Sequence, residues 1–348
     1  MMNILIRWEN DEGDNQMSNT FMDQKRNDNF HFLRKVDLQN LLVETNHLFL
    51  EYRDTLNLPN DVTFRTEIEY EGILESVVDD FIAKNLKDWK SEFGNLLGSC
   101  EKINSPVMSD EIKYWNELKK VCKYLFKNKA DTTHNASGHI HIDANVLGND
   151  VEAWKIFLKL YTAYENVLFR FTYGDKINDR KMILKYAPPT SDLIYSKLNN
   201  INNASSLEDI AKNLQTDLIY TALSFYNVSF YCSEFAHKKN TLEFRSPNAT
   251  TNEVIWQNNI NALTKMLLSS RNKVIDEDFL NYKLSHEYIP YNGNEYLYNN
   301  INLKNALEFV DLVFDNNVDK MYFLKQYLKN FQDNYGIKTA VKAKRFVK

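Results

Sequence analysis

Glu67, Glu69 and Glu71 recur at every second position, as do His139, His141 and Asp143, and Glu243 stands in the same relation to Arg245. On a strand this spacing aims each set at one face, with neighbours along the chain roughly 6.5–7 Å apart. Three glutamates in such a row repel one another unless solvent or cations lie against them. Divalent ions resolve that conflict. Carboxylate oxygens suit Mg2+ or Mn2+, imidazole tolerates Mn2+ as one ligand of an otherwise oxygen site, and an adjacent arginine is the natural partner of a phosphate. Singly, each set has a plainer reading: an E-x-E strand is usually a solvated face, and Glu243 with Arg245 makes an ordinary ion pair. Their joint occurrence describes a metal-dependent site for a nucleotide phosphate.

The elements that must position these residues follow from periodicity. Asp61 to Ile73 alternates, with Val62, Phe64, Thr66, Ile68 and Tyr70 on one face and Thr63, Arg65, Glu67, Glu69 and Glu71 on the other. Gly138 to Asp143 reads as a strand with Ile140 and Ile142 inward, and Asn240 to Ser246 sets Leu242 and Phe244 against Thr241, Glu243 and Arg245. Leu218 to Cys232, rich in Tyr, Phe, Val and Thr, reads as a buried strand or long hairpin arm. Helical patterns cover 36–56, 75–89, 110–129 with Ser109 as N-cap, 150–171, a segment after the capping box Ser205-Ser206-Leu207-Glu208, 252–270, and two stretches within 303–333. Residues 1–35 read as a polar arm, and no repeat of fixed period is present.

Four segments, in order and spacing, resemble the amidoligases, the carboxylate–amine ligases of the glutamine synthetase and glutamate–cysteine ligase superfamily. Phe64 to Tyr70 resembles the family's opening strand with its E-x-E pair, and Asn104-Ser105-Pro106 its strand ending in Ser-Pro. Ser137-Gly138-His139 with His141 resembles its glycine-led histidine strand. Thr241 to Arg245, followed by Asn248-Ala249-Thr250, resembles its last catalytic strand. The resemblance runs from about Asp61 to Ser270. It implies an α+β fold in which a curved antiparallel sheet of the glutamine synthetase type, flanked by helices, surrounds the active site. The chain then divides into an N-terminal arm and helix (1–60), a catalytic domain (61–275) and a C-terminal helical extension (276–348).

The resemblance further implies ATP and two or more Mg2+ (or Mn2+) ions. A substrate carboxylate becomes an acyl phosphate, and an amine displaces phosphate to leave an amide. Carried over by position, Glu67 and Glu69 ligate metal, Glu243 is a further ligand, and Arg245 holds the transferring phosphoryl group. His139 and His141 complete the metal and nucleotide site, with either as the direct ligand. Arg180, ahead of Tyr186-Ala187-Pro188, resembles the arginine offered to nucleotide or substrate, and Asn227 is a weaker case of the same kind. One position departs from the pattern: three residues before Ser105, where the family carries a metal-binding glutamate, stands Lys102, with Glu101 beside it. If Ile103 faces the core, alternation turns Lys102 and Asn104 to the site and Glu101 away, and Lys102 becomes a phosphate ligand instead. The substrates implied are a small-molecule or peptide carboxylate and an amine, with room for an amine-supplying partner enzyme.

Composition bounds these readings. With 348 residues, 26% charged and 43% hydrophobic, the chain has the make-up of a soluble globular protein of one large or two modest domains. Lys and Arg total 42 against 47 Asp and Glu, a net charge of −5, which gives no basic track for nucleic acid or anionic membrane. A metal-dependent phosphodiesterase is therefore the weaker enzyme alternative. Nine Gly and six Pro disfavour an all-β barrel, and with it a cupin-type oxygenase, whose expected glutamate is replaced by Asn145. Three scattered cysteines, Cys100, Cys122 and Cys232, suit a reducing compartment. No targeting segment and no run of about 20 apolar residues is read in the sequence, so a cytoplasmic location is expected. The non-enzyme alternative is a descendant of the ligase fold that binds nucleotide or a partner without turnover, with Lys102 as its best support.

Overall fold

The computed structural model describes residues 50–93, 101–132, 136–172, 186–214, 220–229, 239–291 and 300–328. Six strands, β1 (Phe64–Tyr70), β2 (Lys90–Phe93), β3 (Glu101–Asn104), β4 (Gly138–Asp143), β5 (Leu223–Ser224) and β6 (Thr241–Phe244), form one open sheet in the order β2-β3-β1-β4-β6-β5. Every pairing is antiparallel. The alternation of β1 holds residue by residue: Phe64, Thr66, Ile68 and Tyr70 are buried, while Arg65, Glu67 and Glu69 lie partly open on the other face.

Among the described residues there are ten helices: α1 (Glu75–Asn85), α2 (Ile112–Lys127), α3 (Val151–Thr172), α4 (Ser191–Ser196), α5 (Leu198–Asn202), α6 (Leu207–Leu214), α7 (Glu253–Arg271), α8 (Glu277–Glu287), α9 (Asn300–Val313) and α10 (Asn317–Leu328). α2 and α3 pack on the apolar face of the sheet, and α8, α9 and α10 pack in turn against α3. Phe64 of β1 stacks on Trp115 of α2 at 5.1 Å between ring centroids, and Phe244 of β6 meets Tyr161 of α3 at 6.3 Å. A helix layer on one side leaves the other face of β1, β3, β4 and β6 to carry the ionisable residues.

Several local expectations are corrected. The helix read over 36–56 does not reach Leu56, because residues 50–58 run without helix; the Asp110 carboxylate accepts from the backbone N–H groups of Leu56 (2.8 Å) and Leu58 (2.9 Å), on either side of Asn57 with its left-handed φ of 57°. Residues 36–49 lie outside the described set. Ser109 does not cap α2: the preceding residue is Glu111, to which Ser109 Oγ donates. At α6 the cap moves one residue along, with Ser206 Oγ accepting from Asp209 N and the Asp209 carboxylate accepting from Ser205 N. The pattern over 75–89 stops as helix at Asn85, since Leu86 is extended and Asp88 takes a left-handed φ of 67°, which turns the chain into β2. Leu218 to Cys232 is no long arm among its described residues: Leu223 and Ser224 pair with β6, and Asn227 follows in a turn.

Candidate functional site

Sheet register brings the three spaced sets together. Across β1 and β4, Glu67 is opposite His139 and Arg65 opposite His141; across β4 and β6, His141 is opposite Glu243. On the other side of β1, Glu67 faces Asn104 and Glu69 faces Lys102. Lys102 thus points to the site face, and Glu101 points away to accept a hydrogen bond from the Tyr70 hydroxyl at 2.7 Å.

Glu67 lies at the centre. Its Oε1 is 3.1 Å from His141 Nε2, and its Oε2 is 3.0 Å from His139 Nδ1 and accepts from Lys102 Nζ at 3.1 Å. Glu243 Oε1 accepts from Arg245 Nη1 at 2.6 Å and lies 3.5 Å from His139 Nδ1 and 4.0 Å from His141 Nε2. Burial pushes both carboxyls up. At Glu67 the hydrogen bonds and charges of His139 and His141 win and hold it well below the usual carboxylate range. At Glu243 the charges of His141, Arg245 and His139 outweigh both burial and the neighbouring Glu67, and the group is also lowered. Two ionised carboxylates therefore sit side by side.

Glu67, His141 and Glu243 each offer a ligand atom within 4.8 Å of the others, so this donor set of two carboxylates and an imidazole fits a Mg2+ or Mn2+ ion. His139 lies against both carboxylates, and His141 Nδ1 is fixed by the Thr241 hydroxyl at 3.2 Å, leaving Nε2 aimed at Glu67. Glu69 is not one of those three donors: its Oε2 accepts from Ser137 N (2.7 Å) and Ser137 Oγ, and its Oε1 lies 3.9 Å from His139 Nε2. Arg245 keeps a buried Nε without a partner among the described residues, and its guanidinium lies 5.7 Å from the Tyr220 ring centroid.

Short motifs acquire physical roles here. Ser105 Oγ accepts from Thr66 N at 2.8 Å, which ties the end of β3 to β1 beside Glu67. Gly138 leads β4 because there is no space for a side chain: an added Cβ would lie 2.6 Å from Trp256 Cη2 and 2.9 Å from the Asn248 carbonyl oxygen. Asn227 is buried and uses its carbonyl to accept from Thr241 N at 3.1 Å, which steadies β6. Arg180 lies outside the described residues.

A cleft of about 450 Å3 opens beside Glu67 and His141 toward β3 and β2, with Lys102 and Asn104 in its wall. Arg65, Lys90, Lys239, Asp88 and Glu92 also line it, residues to which sequence reasoning assigned no role. Arg65 was legible as a same-face neighbour of Glu67, whereas Lys90 rests on the four-residue β2, too short to read.

Residues 77–267 match a family model described as "Putative amidoligase enzyme". The matched span is more than half of the chain; it contains His139, His141, Glu243 and Arg245 and begins after β1. Among curated proteins none matches the chain. Among the described residues no helix is long and apolar enough to cross a membrane.

Proposed function

The chain belongs to the amidoligase family, and on that premise we propose that it joins a carboxylic acid to an amine at the expense of ATP, with Mg2+ or Mn2+. The observation that carries this reading is the convergence of Glu67, His141 and Glu243 with Arg245 and Lys102 on one sheet face. Phosphoryl transfer needs charge neutralisation and alignment more than a protein nucleophile, and this set supplies both. Glu67, Glu243 and His141 would hold the metal, which when bound neutralises phosphate oxygens. Arg245 keeps donors for a phosphoryl group, and Lys102 adds a point charge from the other side of Glu67. The acid oxygen takes the terminal phosphoryl group of ATP. The amine nitrogen then forms the C–N bond as the C–O bond to phosphate breaks, and the amine loses its proton.

In this reading the antiparallel sheet is of the glutamine synthetase type and residues 61–275 carry the catalytic residues. The protein works where ATP is abundant, in the cytoplasm, on small-molecule or peptide acids and amines, and a partner enzyme is a candidate source of the amine. The test is incubation of purified protein with ATP, Mg2+ or Mn2+ and panels of acids and amines, with mass detection of amide. Phosphate release that requires both an acid and an amine supports the ligase; absence of ATP binding overturns it. The Lys102 to Glu67 ion pair favours a second reading, a nucleotide-binding member without turnover, identified by metal-dependent ATP binding with no phosphate release.

A further inference from the structure

Ser137, just ahead of the histidine strand β4, is partly exposed, and the ligase chemistry gives its hydroxyl no part. Alternation puts it on the site face with His139 and His141. Its Oγ is hydrogen-bonded to Glu69 Oε2 and lies 3.2 Å from His139 Nε2. Glu67 Oε2, 3.0 Å from His139 Nδ1, takes the proton of that nitrogen, so a neutral His139 turns the lone pair of Nε2 toward Ser137. One hydroxyl thus has two proton acceptors, a carboxylate and an imidazole that is itself oriented by a carboxylate. The backbone around it is fixed on both sides. Glu69 N donates to the Ser137 carbonyl at 3.1 Å, and Gly138 N donates to the carbonyl of Pro247, two residues beyond Arg245, at 2.9 Å.

Resting on the ligase reading above, we infer that Ser137 is a phosphoryl acceptor: with ATP bound and no acid present, the protein phosphorylates its own Ser137. Ser137 Oγ forms the bond to the terminal phosphorus of ATP while the bond from that phosphorus to the ADP oxygen breaks, its electron pair leaving with ADP. The hydroxyl proton passes to Glu69 Oε2, the part that a carboxylate plays in protein kinases. The same carboxylate favours phosphoryl over acyl transfer. It would repel the oxyanion of a tetrahedral acyl intermediate, whereas a loose phosphoryl transition state asks only for an oxygen in line and for neutralised equatorial charge. That charge is met along a run of contacts leading from Ser137. His139 Nδ1 lies 3.5 Å from Glu243 Oε1, which accepts from Arg245 Nη1 at 2.6 Å, and the buried Nε of Arg245 is without a partner among the described residues. The acid substrate and Ser137 compete for one phosphoryl group, so a bound acid suppresses the reaction.

The test is incubation of the full chain with Mg2+·ATP or Mn2+·ATP, without acid or amine, followed by intact-protein and fragment mass spectrometry. The expected product carries one added phosphoryl group on Ser137, stable to acid and to hydroxylamine. An acyl phosphate on Glu67 or Glu69 is cleaved by hydroxylamine, and a phosphohistidine is lost in acid. The rate constant is expected to be independent of protein concentration, because acceptor and ATP share one chain. Glu69→Gln is expected to slow the reaction roughly 10²–10⁴-fold, the worth of a positioned proton acceptor. Ser137→Ala is expected to bind Mg2+·ATP yet stay unmodified, and Ser137→Thr to regain a phosphorylated product, which separates loss of the acceptor from loss of the fold. A rate constant that rises with protein concentration, a phosphoryl group on another residue, or an unmodified Ser137 in a protein that binds Mg2+·ATP overturns the inference. Amide formation is assayed separately. Amide from a protein whose Ser137 stays unmodified keeps the ligase and removes this inference, phosphoserine with no amide from any acid and amine does the reverse, and absence of ATP binding overturns both.

Discussion

Glu67 divides its two oxygens between His141 on one side and His139 with Lys102 on the other, which makes it the residue whose charge the whole site shares. Glu67→Gln keeps the shape and removes that charge. Since loss of an outer-shell partner alone costs a metal site roughly 10–100-fold, loss of the ligand proposed here is expected to weaken Mn2+ binding at least as much, read by electron paramagnetic resonance titration. Unchanged affinity would move the ion elsewhere. Arg245→Ala is expected to lower kcat for ATP-dependent amide formation by roughly 10²–10³-fold, as for loss of a preorganised donor to transition-state charge. Because the change also takes from the buried Glu243 its 2.6 Å partner, the melting temperature is expected to fall as well, so kcat is compared at a temperature where both proteins stay folded. Glu165 makes a contrasting buried carboxylate: it accepts from Tyr161 Oη (2.8 Å) and from the backbone N–H groups of Thr190 (2.7 Å) and Ser191 (2.9 Å), joining α3 to the start of α4. Burial raises its pKa despite those opposing donors. A folded value above the unfolded one means that the native state holds this proton more tightly. Its contribution to stability is therefore greatest below the ordinary carboxylate range and falls as pH rises through the folded value. Glu165→Ala should flatten that part of the denaturation profile and, by leaving donors unmatched, cost about 1–3 kcal/mol for each buried group left unpaired. A profile parallel to wild type would remove Glu165 from the account.

β4 shows at the level of an element what two residue types accomplish. Ile140 and Ile142 fix the strand on the helix layer, and the same period sends His139 and His141 to the site. Gly138 sets how closely β4 approaches Trp256 and Asn248. Gly138→Ala must shift backbone, so a loss of roughly 1–3 kcal/mol by overpacking is expected, together with weaker Mn2+ binding because His139 and His141 move with the strand. A stable variant with full metal affinity would show that β4 has slack there. The same period explains what could be read from sequence. β1, β4 and β6 were legible because one face of each is apolar and the other ionisable, so alternation assigned each residue to its face, whereas the strand order that makes Glu67, His141 and Glu243 neighbours lies in long-range pairing that no local period contains. Lys102 was legible on the same logic once Ile103 was placed inward. β2 and β5, at four and two residues, are too short for a period, and they exist because β3 and β6 offer them partners. The Asp110 carboxylate that binds the backbone N–H groups of Leu56 and Leu58 acts across more than fifty positions, a contact no local pattern contains.

The helices beyond residue 276 share one core with the sheet's supporting layer. Phe323 of α10 stacks on Phe171 of α3 at 4.1 Å between centroids, and Phe309 of α9 meets Tyr164 of α3 at 5.5 Å. Gln326 donates to the Phe171 carbonyl (2.9 Å) and to Asn259 Oδ1 (2.7 Å), while Asn258 Nδ2 donates to the Tyr322 carbonyl (3.0 Å) and to Gln326 Oε1 (2.9 Å). Arg53 pairs with Asp319 and gives its carbonyl to Gln257 Nε2, so the start of the described chain is fastened to α7 and α10 together. Removing residues 276–348 would expose the surface that Phe309, Val310, Phe314, Phe323, Leu324 and Leu328 now cover, each fully or nearly fully buried. At roughly 1.5–3 kcal/mol for each such side chain, that loss rivals the roughly 5–15 kcal/mol that separates a folded domain from its unfolded chain. It also strands the Asn258 amide and Asn259 Oδ1 without the Tyr322 carbonyl and Gln326 side chain that they bond. A chain ending at residue 275 is therefore expected to aggregate or to show no cooperative thermal transition by circular dichroism, although it retains Glu67, His141, Glu243 and Arg245. A soluble truncated protein with a sigmoidal melt and wild-type Mn2+ affinity would instead establish residues 61–275 as a separable catalytic domain with the C-terminal helices as an accessory.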